Sequence, residues 1–203
     1  MRDQILDLDL DYFNPWLDIK SGPLPVVDRL LHTLDPRTPC QFFIEHQDVL
    51  KALKPLGSKD FIDIPGTWFH VDHHHDFYND RPKEEDDVGC WNFGFAIPVS
   101  LYDRFVWVTK YGSHAEEENA WEFMEEKNKT FEVRERWTWE SDRVGVVYVT
   151  VSPDYSELAH YLNAIIHLIA DYFGIDRVPL PVRKYGTQPS SWKFRKRVAP
   201  YKP

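Results

Sequence analysis

Cysteine is almost missing from this chain: Cys40 and Cys90 are the two examples among 203 residues. Two thiols are too few for a disulfide framework, so the expected compartment is the reducing cytoplasm. Long apolar runs are missing too. None approaches the roughly 18 residues that a membrane span needs, so no membrane association is expected. Met1-Arg2-Asp3-Gln4 leads straight into a strand-like run rather than a signal-peptide pattern. There is no internal repeat. Each sign of charge is also scarce somewhere. Residues 177–203 hold eight of the 24 Lys and Arg residues and no Asp or Glu, whereas residues 1–176 hold all 33 acidic residues against the other 16 basic ones. An acidic body argues against a nucleic-acid groove, which needs a basic face. It suits divalent cations or a cationic substrate.

What is present is an ordinary folding composition, 42% hydrophobic and 15% aromatic. The length suits one domain with a real core. We place that domain at residues 1–176, followed by a basic, proline-containing tail at 177–203 that could wrap the acidic body, bind a partner or stay loose.

The run Ile5-Leu6-Asp7-Leu8-Asp9-Leu10-Asp11-Tyr12-Phe13 alternates apolar and acidic residues, a strand signature with carboxylates on one face. Asn14-Pro15 ends it. Helical spacing of Val26, Val27, Leu30, Leu31 and Leu34 predicts a helix over 25–34. A short buried strand follows at 40–44, then Glu45-His46-Gln47, then a helix to about Leu56. Trp68-Phe69-His70-Val71 reads as the next strand, with His70 structural. A polar loop and the stretch Gly89-Cys90-Trp91-Asn92 follow, the latter starting a helix beneath residues 72–76. Further strands are predicted at 105–108 and 144–151, an edge strand or insertion at 131–139, and helices at 113–127 and 158–173. Ser113 with Glu116 fits a capping box. Alternating strands and helices predict an α/β fold with a mostly parallel sheet and helices on both faces.

Polar residues gather where predicted strands end. Asp72-His73-His74-His75-Asp76 follows one strand, Asp9 and Asp11 end another, His46 lies at a strand-to-helix junction, and Ser152-Pro153-Asp154-Tyr155 follows the last strand. Parallel strands bring such tips to one edge, where sites form in open α/β sheets. Alternate residues leaving a strand project to one side, which selects Asp72, His74 and Asp76 as candidate ligands. Carboxylates with imidazoles suit Mn²⁺, Fe²⁺ or Zn²⁺. With Asp9, Asp11 and His46, they make the inventory of a two-metal site.

Asp72-x-His74-x-Asp76 resembles the Asp-x-His-x-Asp motif of the arginase/deacetylase superfamily. Asp7-Leu8-Asp9-Leu10-Asp11-Tyr12-Phe13-Asn14-Pro15 is similar to the second ureohydrolase motif, Ser-x-Asp-x-Asp-x-x-Asp-Pro. Asp7 replaces its serine and Asn14 its last aspartate. The order is permuted, because arginases place the Asp-x-Asp strand late. The combination with Glu45-His46-Gln47 and Cys90-Trp91-Asn92 is closest to a branch that includes the peptide arginases, which convert arginine in ribosomally made peptides to ornithine. The resemblance implies two Mn²⁺ ions bridged by Asp9 and Asp72, one completed by His46 and Asp76, the other by His74 and Asp11. It implies a water activated between them for attack on the guanidinium carbon, with Asp76 carrying the proton. It also implies a carboxylate that orients the guanidinium, for which Asp154 is the candidate, and leaves Asn92 as a further substrate contact. His73 and His75 are read as support. The implied partner is an arginine-containing peptide; the assembly state is not implied.

Other readings fit less. Asp72-His73-His74 is also similar to the Asp-His-His phosphoesterases, but their His-x-x-x-Asp-x-Asp-Gly segment and glycine-rich loop are missing. An aspartate-nucleophile phosphatase leaves residues 72–76 without a role. A deacetylase typically uses a single zinc. The non-enzymatic alternative is a metal-stabilised peptide-binding module.

Overall fold

The computed structural model describes residues 2–16, 20–56, 66–78, 81–84, 87–110, 117–152, 161–179 and 194–196. In chain order the elements are β1 (Gln4–Asp9), a 3₁₀ segment (Leu10–Trp16), α1 (Leu24–Leu31), β2 (Cys40–Phe43), α2 (His46–Leu56) and β3 (Gly66–Val71). A 3₁₀ turn (Cys90–Asn92) then leads into α3 (Phe93–Ala96), β4 (Tyr102–Val108), α4 (Glu117–Glu126), β5 (Thr130–Arg134), β6 (Val144–Thr150) and α5 (Leu162–Phe173). A short antiparallel pair, β7 (Arg177–Pro179) and β8 (Phe194–Lys196), completes the described residues.

The first six strands form one parallel sheet in the order β2-β6-β1-β3-β4-β5. Side-chain alternation gives it two apolar faces. Leu6, Leu8, Phe69, Val71, Val106, Val108, Val147 and Val149 pack with α1 and α5 on one face. Ile5, Trp68, Phe105, Trp107, Val146 and Tyr148 pack with α2, α3 and α4 on the other. This is the expected α/β architecture, with helices on both faces. It explains why β6 reads as an almost unbroken apolar run, since a central parallel strand is buried on both sides. All of β6 and all of β1 are buried. From β1 the chain crosses to β2 at one edge, and from β2 it returns to β3 on the other side of β1. The order thus reverses around β1, the position at which open α/β sheets form crevices.

Local chemistry sets the element ends. β1 stops at Asp9, short of the predicted Phe13, because the Asp11 backbone N–H donates to Asp9 Oδ1 at 3.0 Å. That Asx-type turn competes with the strand ladder and rolls the chain into the 3₁₀ segment. Pro25 sits in the first turn of α1, where its missing N–H costs nothing. α5 ends on Gly174 in the left-handed region (φ 66°), and the Ile175 N–H donates back to the Ala170 carbonyl. The residues around Ser113 and Glu116 lie outside the described set. The tail is not uniformly irregular: β7 pairs with β8, and Val178 is buried in the core. No helix among the described residues is long and apolar enough to cross a membrane.

Ile165 is fully buried in the α5 face of the core. Ile165→Ala is expected to lower stability by about 2–5 kcal/mol through lost burial and a residual cavity. Thermal unfolding followed by circular dichroism should show Tm falling by roughly 5–15 °C; an unchanged Tm would mean α5 does not dock through this residue.

Candidate metal centre

Four strand tips build the centre. β1 delivers Asp9, and the turn after it folds Asp11 back beside it. β2 runs into α2, whose first residue is His46. Beyond β3 the chain bends sharply rather than continuing as a strand, so Asp72, His74 and Asp76 do not converge by simple alternation. They converge because the loop wraps. The His74 N–H donates to Asp72 Oδ1 at 3.0 Å, the His73 N–H donates to Asp11 Oδ1 at 3.3 Å, and Asp76 takes a left-handed backbone (φ 60°). The Gly94 N–H of α3 donates to the Asp76 carbonyl at 2.9 Å. A side chain at Gly94 would come within 2.5 Å of the Phe77 ring, so only glycine lets α3 approach this closely. The β6 tip contributes Ser152, also left-handed (φ 42°), whose Oγ–H donates to Asp9 Oδ2 at 2.6 Å.

The result is a cavity of about 120 Å³ lined by Asp9, Asp11, His46, Asp72, His74, Asp76, Tyr78, Cys90, Trp91 and Ser152. All six ligands proposed from the sequence line it. His46 Nδ1 lies 2.9 Å from Asp76 Oδ2, 3.3 Å from Asp9 Oδ2 and 3.6 Å from Asp72 Oδ2. His74 Nδ1 lies 3.3 Å from Asp11 Oδ2 and 3.9 Å from Asp72 Oδ1. Asp72 is common to three donor sets able to hold a metal ion: Asp9, His46 and Asp72; Asp11, Asp72 and His74; His70, Asp72 and Asp76. A fourth set, Asp7, His46 and His70, lies beneath them. Asp7 and His70 are register partners on adjacent strands, and both are fully buried.

The donor chemistry fits a divalent cation. Buried carboxylates packed together repel, and burial itself disfavours their charge. Burial, then Asp11 and Asp72, push the Asp9 carboxyl well above the usual range. Burial and Asp72 push Asp11 up to about 6 against the pull of His74. Burial works against an imidazolium, yet Asp7, Asp9 and Asp76 hold the His46 pKa well above its ordinary value. His74, also opposed by burial, is drawn up to about 9 by Asp11 and Asp72. Among the described residues the buried Asp76 Oδ2 has no hydrogen-bond donor of good geometry, a donor-set atom free to meet a cation.

Asn92, the further substrate contact expected from the resemblance, does not line the cavity. It is buried, its Oδ1 accepts from the Gly89 N–H at 2.8 Å and its Nδ2 donates to the Asp87 carbonyl at 3.1 Å, so the amide is spent on its own turn. Its neighbour Trp91, 47% exposed, lines the cavity instead. Asp154 lies outside the described residues. His75 supports the loop as expected: its Nδ1 accepts from the Phe77 N–H at 3.1 Å and its ring stacks on Tyr78 at 4.1 Å. Three residues outside the ligand set drawn from the sequence stand at the centre: Asp7, His70 and Ser152. A polar residue inside an apolar strand, as in Trp68-Phe69-His70-Val71, was the signal available for His70. Comparison with protein-family models, curated proteins and solved structures gave no match.

Asp11 and His74 bind protons more tightly in the folded chain than in the unfolded one, where 3.8 and 6.5 apply. Their contribution to stability is complete below those values and is lost as pH rises through about 6 for Asp11 and about 9 for His74. Chelator-treated protein should therefore show a Tm that falls as pH rises through this window. Mn²⁺ at about a hundred times its Kd should add about 2.7 kcal/mol, or roughly 5–10 °C. A Tm indifferent to both pH and Mn²⁺ would count against a metal centre.

Proposed function

We propose that this protein is a hydrolase that holds two divalent cations, Mn²⁺ by its resemblance to the ureohydrolases, and cleaves the guanidinium of arginine within a peptide to ornithine and urea. The observation that carries this reading is Asp72: one buried carboxylate serves both the Asp9–His46 set and the Asp11–His74 set at the floor of a single cavity. A carboxylate shared by two donor sets would serve two cations held side by side.

In this reading Asp9, Asp11, His46, Asp72, His74 and Asp76 would hold the two cations, with Asp72 common to both donor sets. Bound divalent ions supply Lewis acidity and a water activated for attack near neutral pH. The chain supplies the rest. Ser152 holds Asp9 in place through its hydroxyl. Trp91, with Tyr78 beside it in the lining, offers a π face over which a planar guanidinium can stack. Its exposed surface at the rim suits a substrate longer than a free amino acid. Asp154 is the proposed bidentate partner of the guanidinium. Asp76 takes the proton of the attacking water and passes it to the leaving nitrogen. The bond between the guanidinium carbon and the side-chain nitrogen breaks; urea departs and the ornithine amine keeps the proton.

Mn²⁺-loaded protein incubated with arginine-containing peptides should release urea and leave ornithine, read by mass spectrometry. Asp72→Asn should lower kcat by at least about a thousandfold, the scale of losing a central catalytic interaction. If metal binds but no guanidino compound yields urea, the substrate assignment falls.

Trp91→Ala should raise KM roughly 5–30-fold with kcat little changed, the size of a lost cation–π contact that acts on binding. A drop confined to kcat would remove Trp91 from substrate binding.

A further inference from the structure

Beneath the cavity floor, Asp7 stands between two imidazoles. Its Oδ2 lies 2.9 Å from His70 Nδ1, and its Oδ1 lies 3.6 Å from His46 Nε2. All three side chains are at least 99% buried. Asp7 Oδ1, His46 Nε2 and His70 Nε2 have no hydrogen-bond partner among the described residues. Buried polar atoms left this way cost free energy. A closure of about half an ångström between Asp7 Oδ1 and His46 Nε2 would satisfy two of them.

The far nitrogens face the cavity carboxylates. His46 Nδ1 is 2.9 Å from Asp76 Oδ2 and 3.3 Å from Asp9 Oδ2. His70 Nε2 is 3.2 Å from Asp72 Oδ2 and 3.6 Å from Asp76 Oδ2. An ionised carboxylate only accepts, so Asp7 keeps a proton on His46 Nε2 and on His70 Nδ1. When a metal ion takes the place of the ring proton on the cavity side, His46 Nδ1 and His70 Nε2 are the lone-pair atoms left facing the carboxylate oxygens. Ligand atoms sharing one ion at about 2.1 Å lie about 3.0–3.4 Å apart, close to the separations seen here.

We propose that Asp7 is a positioning residue that fixes the tautomers of both His46 and His70, and that His70 Nε2 thereby joins the metal-facing donors beside Asp72 and Asp76. The inference rests on the metal-centre reading above. It assigns roles to two residues for which the ureohydrolase resemblance supplies none, since Asp7 is where this chain departs from that motif. The register Asp7↔His70 in the parallel sheet makes the arrangement rigid, as an outer carboxylate–imidazole layer must be to orient its ligands.

Isothermal titration of Mn²⁺ into wild type, Asp7→Asn and His70→Gln, each first stripped with chelator, tests it. Both variants should bind Mn²⁺ about 10–100-fold more weakly than wild type. A merely structural role predicts lower Tm with unchanged affinity, which would overturn the proposal. If wild type itself binds no Mn²⁺, the metal-centre reading fails and this one with it; if wild type binds and both variants match it, only this one fails. Should the variants not fold, long-range ¹H–¹⁵N spectra of Zn²⁺-loaded wild type decide. Protons on His46 Nε2 and His70 Nδ1, with the opposite nitrogens metal-shifted, support the proposal; either ring in the other tautomer overturns it.

Discussion

The mutual repulsion of buried carboxylates is the constraint on which this structure turns. Asp7, Asp9, Asp11, Asp72 and Asp76 are each at least 97% buried, around one end of one sheet. Such a group stays folded only if positive charge or protons compensate it. His46, His70 and His74 supply part of that compensation, and each has a ring nitrogen within 3.3 Å of a carboxylate oxygen. Protons or a divalent cation supply the rest, and the donor sets could hold such an ion.

The apolar surroundings raise the stakes of that arrangement. His46 stacks on Phe93 at 4.9 Å with the rings nearly parallel, and His70 packs against Phe105 at 5.5 Å. A low-dielectric wall strengthens every interaction between the charges it encloses and sharpens the cost of leaving one unmatched. Left-handed backbone at Asp76 and Ser152 adds local strain at the same point. The well-packed sheet on either side bears that strain. Four of its strands, β1, β3, β4 and β6, are covered by helices on both faces.

Much of this was legible in the chain. The apolar periodicities of α1 and α5 and the runs of β3 and β6 are local signals, and the elements formed where those signals lay. The acidic alternation of β1 was legible too, but its end was misjudged: the Asp9 side chain captured the Asp11 backbone and turned the chain before Phe13. Asn92 shows a related limit, since its amide hydrogen-bonds within its own turn. A polar side chain near a site can serve the backbone of its own turn, and only its hydrogen bonds reveal which role it takes. The six candidate ligands could be collected because acidic and imidazole side chains recur at successive predicted strand tips.

The sequence by itself determined the fold class and the residue types at each strand tip, because both are written in spacings of two to four residues. Only the tertiary structure decided what those tips make together. Asp7 and His70 are 63 residues apart and Ser152 is 143 residues from Asp9, and no local pattern links them. The parallel register across β1, β3 and β6 sets one beside another, so a lone core histidine, a motif departure and a loop serine became the layer that holds the cavity's carboxylates and imidazoles in place.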